Sequence, residues 1–232
     1  GDVYKRQKSS DTEFVKRKRF LYIFSFQYSK RRITEMKRTI LAVLASVCVL
    51  SAVAAKPSED VIEGFEKSST TWVAVKTNWG DGDKSTGVSL STDWAAEGKQ
   101  SLKCEFKTPD AKKESATYYT EKMSARDISP YDAVSFDVYN PTGQTVQCAI
   151  ALTTGAGWDW YESKAVDIAA GAKQTVRVEL YEGALKCPAS NWQFTADLED
   201  SDDLRRIAVK FFIPAETAEG VVYLDNIKMI VE

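Results

Sequence analysis

Between Gly155 and Ser163 the chain reads GAGWDWYES, setting Trp158, Trp160 and Tyr161 among the acids Asp159 and Glu162. Two chemistries use such a set. Ring faces take the apolar C–H face of a pyranose while carboxylates accept hydrogen bonds from its hydroxyls. Alternatively, two carboxylates flanking a glycosidic bond can hydrolyse it. Strand alternation sends Trp158, Trp160 and Glu162 to one face and Asp159, Tyr161 and Ser163 to the other. Asp159 and Glu162 then diverge, which argues against their facing one substrate. The other possible partner for Asp159 is Asp137. The alternation predicts that Trp160 enters the core and that Asp159 and Tyr161 face outward.

The chain contains no histidine, which removes Ser-His-Asp and Cys-His catalysis and imidazole-based zinc sites. Its formal net charge of -2 hides an asymmetry. Residues 1–55 carry 12 of the 31 Lys and Arg but 4 of the 33 Asp and Glu, leaving 19 basic against 29 acidic residues from 56 onward. A body that acidic excludes nucleic acid and anionic membrane as partners held by bulk electrostatics.

Residues 36–55, MKRTILAVLASVCVLSAVAA, combine a Lys37-Arg38 start, an apolar run from Ile40 to Leu50 and small residues at Ala52 and Ala54. This is the pattern of a secretory signal peptide, and the run is too short to span a bilayer. Secretion with no membrane anchor is therefore expected. Residues 1–35 are expected to be a non-native or upstream extension, since Asp2–Gln7 (DVYKRQ) reads as a translated transposon-end adapter. The folded domain is expected over 56–232.

That domain reads as short β-rich runs separated by Gly, Pro, Asn and Asp, with no sustained helical period. Eleven strands are expected: 61–66, 71–77, 87–92, 101–107, 117–122, 133–140, 145–153, 158–163, 174–180, 206–213 and 221–230. This predicts an all-β jelly-roll β-sandwich of two antiparallel sheets. Val134, Phe136 and Val138, then Cys148, Ile150 and Leu152, then Ile207, Val209, Phe211 and Ile213 take the core parity. Their alternates place small Ala149, Ala151 and Ala208 beside Tyr139, Phe212, Asp137 and Lys210, as in a shallow groove that a polymer could cross. Cys104, Cys148 and Cys187 permit at most one disulfide after signal removal, and Cys104 and Cys148 sit at core positions.

Four segments in order, Phe65-Glu66, Gly98–Lys103 (GKQSLK), Tyr131–Val138 (YDAVSFDV) and Gly220–Ile227 (GVVYLDNI), resemble the jelly-roll carbohydrate-binding modules of the galactose-binding-like superfamily. The family 11 β-glucan binders are the most similar, over nearly all of 60–231. The resemblance implies a non-catalytic module binding a polysaccharide or oligosaccharide, and a monomer is expected. It puts Trp79 in the place of an aromatic platform and turns Asp159 and Tyr161, on the strand around Trp158, toward the ligand; with Tyr139 and Lys210 from the alternation, the candidate ligand-binding residues are Trp79, Tyr139, Trp158, Asp159, Tyr161 and Lys210. It also implies one structural calcium on Glu66 and Asp225, whose hard oxygens suit that ion. The family's arginine, aspartate and tyrosine cluster after the ninth strand has no clear match in Leu185–Ala196. A structural or adhesion domain of a cell-surface or polysaccharide-degrading complex is the alternative. A glycoside hydrolase or polysaccharide lyase using paired carboxylates is the second.

Overall fold

The computed structural model describes residues 58–75, 82–108, 114–123 and 126–232. The expected extension and signal peptide, residues 1–35 and 36–55, lie outside these, as does Trp79. In Ser101–Lys107, Leu102, Cys104 and Phe106 are buried while Lys103, Glu105 and Lys107 alternate toward solvent. The same two-residue period organises the longer strands, and it makes each of them the wall of a core.

Among the described residues thirteen strands result: β1 (Ser58–Glu63), β2 (Val73–Ala74), β3 (Ser85–Ser91), β4 (Ser101–Lys107), β5 (Glu114–Thr120), β6 (Ala133–Tyr139), β7 (Val146–Thr154), β8 (Asp159–Ser163), β9 (Val166–Ile168), β10 (Lys173–Glu179), β11 (Leu185–Lys186), β12 (Leu204–Ile213) and β13 (Glu219–Val231). The first sheet runs β10-β6-β13-β4-β3, with β1 joining the free part of β13. The second runs β11-β8-β7-β12-β5-β2, with β9 also on β7. Every strand pairing is antiparallel. The architecture is the expected jelly-roll sandwich. The two strands absent from the expectation, β9 and β11, are three and two residues long, too short to show a period.

The core lies between the sheets. Leu102, Phe106, Val134, Phe136, Val138, Leu224 and Met229 face Ile150, Leu152, Ile207, Val209, Phe211 and Tyr118. The Tyr118 hydroxyl donates to the Glu105 carbonyl, tying β5 of one sheet to β4 of the other. Cys104, Cys148 and Cys187 are free thiols in this core, and burial pushes the first two thiol pKa values up.

Candidate glycan-binding face

The outer face of the second sheet can be assembled from its registers. Glu162, Ala151, Ala208 and Tyr119 lie side by side on β8, β7, β12 and β5. One step along the strands, Ala149, Lys210 and Thr117 form the next row; one step the other way, Trp160, Thr153 and Arg206 form another. The three alanines are at most 1% exposed, so they form a floor that the taller side chains around them cover. Four strands at about 4.8 Å spacing make this trench about 14 Å long across the strands.

Charge is arranged along its centre. Glu162 is 4% exposed. Its Oε1 lies 2.8 Å from Lys186 Nζ, its Oε2 lies 3.7 Å from Lys210 Nζ, and Oε2 also accepts from Trp160 Nε1 at 3.3 Å. Both lysines rest on aromatic rings, Lys210 5.0 Å from the Phe212 centroid and Lys186 5.4 Å from that of Phe194. The Thr153 hydroxyl is buried without a hydrogen-bond partner. At the end of the trench Trp158 is 43% exposed and holds φ at +57°. A bulky residue in that left-handed region is a local strain. Trp192, 52% exposed, has the same signature with φ at +58°.

Several expected roles are reversed. Tyr161 pairs with Leu152, is 5% exposed and belongs to the core, so it does not face a ligand. Burial, with the neighbouring acid Glu199 adding to it, pushes its pKa up to about 12. Trp160, expected inside, stands on the outer face instead. The signal was present in Glu162: it shares the parity of Trp160, so a core Trp160 would have carried a carboxylate into the sandwich. Trp158 ends a turn, donating its amide to the Gly155 carbonyl at 3.2 Å, and the alternation does not extend back to it. Asp159 is exposed at the start of β8, paired with Thr154.

Tyr139 belongs to the other sheet and is not part of the trench. Its ring stacks on Tyr223 at 5.7 Å and 17°, with Trp94 5.7 Å away and Lys173 Nζ 5.3 Å above. Asp137, on the same strand, accepts from Thr175 and Asn226. It lies on the opposite side of the sandwich from Asp159 and Glu162, so it forms no acid pair with either. Of the candidate ligand residues the trench brings together Lys210 and, at its end, Trp158. Glu162, Trp160, Lys186, Arg206 and Tyr119 join them without having been expected there.

Glu66 and Asp225 meet at one loop. Glu66 Oε1 accepts the Lys99 and Gln100 amides at 2.8 and 3.0 Å, and Asp225 Oδ2 accepts those of Ala96 and Glu97 at 2.7 and 3.1 Å. The amides hold the Glu66 pKa below the usual carboxylate range, whereas burial raises that of Asp225. Calcium takes six to eight oxygens. Here N–H donors surround both acids, and among the described residues no three Asp, Glu, Cys or His gather about a point. As arranged, the two acids form an amide latch on the Ala96–Gln100 loop.

The topology and the outer trench define a jelly-roll sandwich of the galactose-binding-like kind. The family model described as "Mannanase, galactose-binding domain-like" matches residues 63–187, more than half of the chain, and the chain belongs to that family. No curated protein matches its sequence. Among solved structures, the family 11 carbohydrate-binding module of the cellulosomal cellulase Lic26A-Cel5E of Clostridium thermocellum is similar with a TM-score of 0.53 at 13% identity, over 77% of this chain and 97% of that one. The family 11 module of the same organism in complex with a β-1,3-1,4-mixed-linked tetrasaccharide gives 0.53 at 14% identity, over 77% and 98%. A family 28 module described as specific for non-crystalline cellulose gives 0.51 at 17% identity, over 73% and 94%. At these identities the likeness establishes the fold.

Proposed function

We propose that this chain binds a linear polysaccharide without cleaving it, laying the polymer across the strands of the second sheet. The observation that carries the reading is the trench itself: a floor of Ala149, Ala151 and Ala208, Trp160 and Trp158 at its side and end, and the Glu162 carboxylate between two ammonium groups. Indoles take the C–H face of a sugar ring, and Lys186 and Lys210, part-exposed over the buried Glu162, offer donors to its hydroxyls. Family membership supports the reading, as does the glycan bound by one structural relative. Binding without cleavage is supported by the trench centre, where the one carboxylate is tied to two lysines rather than set opposite a second acid. The signal-like segment at 36–55 supports export, which makes an extracellular or periplasmic polymer the accessible class of ligand.

Affinity gel electrophoresis in soluble β-glucan, mannan and xylan tests this. Retardation by at least one polymer is expected, and it should shrink in Trp160→Ala while the melting temperature stays nearly unchanged. Migration unaltered by all three would overturn the reading. Release of reducing ends from any of them would replace it with an enzymatic one.

A further inference from the structure

The end of the trench is built around an irregularity. On β12, Leu204 pairs with Thr154 and Arg206 with Thr153, so Arg205 is an extra residue opposite no partner on β7. Such a bulge re-aims side chains that would otherwise alternate. Here consecutive arginines both reach one ring: the guanidinium carbon of Arg206 lies 5.1 Å from the Trp158 centroid and that of Arg205 lies 5.9 Å from it. Arg206 also lies 4.8 Å from the Tyr119 ring, and its Nε and Nη2 donate to Glu121 Oε1 at 3.1 and 2.5 Å. Arg205 is held by Asp203 at 2.9 Å through Nε.

The other side of the contact is equally fixed. Gly155 donates its amide to the Asp203 carbonyl at 2.9 Å, and the Thr154 hydroxyl donates to the Glu199 carbonyl at 2.8 Å. Gly155 has φ at +66°, and a Cβ there would stand 2.3 Å from Asp200 Oδ2, so only glycine lets the two loops close this tightly. The turn that presents Trp158 and the loop that leads into the bulge are therefore one unit. An exposed tryptophan at φ +57° is strained where a glycine would not be. Strain of that kind persists when the surroundings hold it, and the cation–π contacts supply the hold.

We propose that Arg206, outward in register with Thr153 and joined at the ring by Arg205 from the bulge, is a positioning residue for the glycan site. It holds the Trp158 indole upright as the aromatic platform for the last sugar ring at this end of the trench. The inference rests on the glycan-binding reading for what the platform meets, and on geometry alone for how the platform is held.

The test uses the full chain and a double-mutant cycle of Arg206→Ala and Trp158→Gly, the latter chosen because glycine accepts the backbone angle. Trp158 fluorescence is taken as the difference between each protein and its Trp158→Gly partner and is quenched with acrylamide, with no ligand present. Arg206→Ala should make Trp158 more quenchable, and Glu121→Gln and Arg206→Lys should do so to smaller extents. On whichever polysaccharide retards the wild type, Arg206→Ala should weaken binding about tenfold, and it should cost nothing further in the Trp158→Gly background. Unchanged quenching in Arg206→Ala would overturn the proposal. So would a full Arg206→Ala loss persisting without Trp158, since Arg206 would then act on the glycan by itself. If no polymer binds the wild type, the glycan reading fails while quenching still decides whether Arg206 holds the ring.

Discussion

The two outer faces of this sandwich carry similar side chains and differ in how those side chains spend their contacts. On the first sheet Tyr139 and Tyr223 stack, Trp94 packs tilted against both, and the Tyr223 hydroxyl donates to Asp93 at 3.0 Å. Trp94 and Tyr223 are buried by that mutual packing. On the second sheet Trp158 leans on arginines with much of its surface in solvent. A ring packed among other rings is a structural element, whereas one with much of its surface in solvent is available to a ligand. Aromatic composition does not separate the two cases; the neighbour across the strand does.

The sharpest way to break this comparison is within β8. Tyr161→Ala should destabilise the fold by about 3–5 kcal/mol, the cost of emptying a core aromatic site, and shift the urea midpoint accordingly. Its neighbour Trp160→Ala should leave that midpoint nearly in place. A similar loss in both would mean that Trp160 is not an outer-face residue. Next in size, Trp94→Ala should cost about 3 kcal/mol in the same titration while leaving polysaccharide retardation intact. Loss of retardation without loss of stability would move the binding face to the first sheet.

The alkaline limb of the stability curve probes both sheets at once. Tyr161 and Tyr223 have pKa values raised to about 12, each chiefly by burial, and in Tyr223 the hydrogen bond to Asp93 adds to it. For a phenol whose folded value lies above its unfolded value of about 10, the native state is favoured fully below pH 10 and loses that advantage as pH rises toward 12. Unfolding free energy should therefore fall across this window, and less steeply in Tyr223→Phe. An identical slope in that variant would remove Tyr223 from the account. The smallest expected effect concerns the loop latch: Glu66→Ala should lower the melting temperature equally with calcium and with chelator, because the partners of Glu66 are amides. A calcium-dependent rise that Glu66→Ala abolishes would instead establish the ion there.

Alternation along single strands was enough to identify an all-β sandwich and to orient β6, β7 and β12, because in each of these one parity is wholly apolar: Val134, Phe136 and Val138 leave no rival face. It likewise placed Ala149, Ala151, Ala208 and Lys210 outward. In β8 both parities carry an aromatic residue, so the strand by itself does not choose; the pairing of Tyr161 with Leu152 and of Glu162 with Ala151 does. Tyr139 shows the same limit at longer range. Its strand alternation is correct, yet which sheet β6 joins is set by β10 and β13, remote from it in sequence. The bulge at Arg205 is a matter of register between β7 and β12, and no local pattern records it. Local periodicity therefore settled which side chains leave the core, since burial acts on each strand separately. Which of the outward ones meet was decided by strand pairing, because neighbours across a sheet are contributed by segments tens of residues apart.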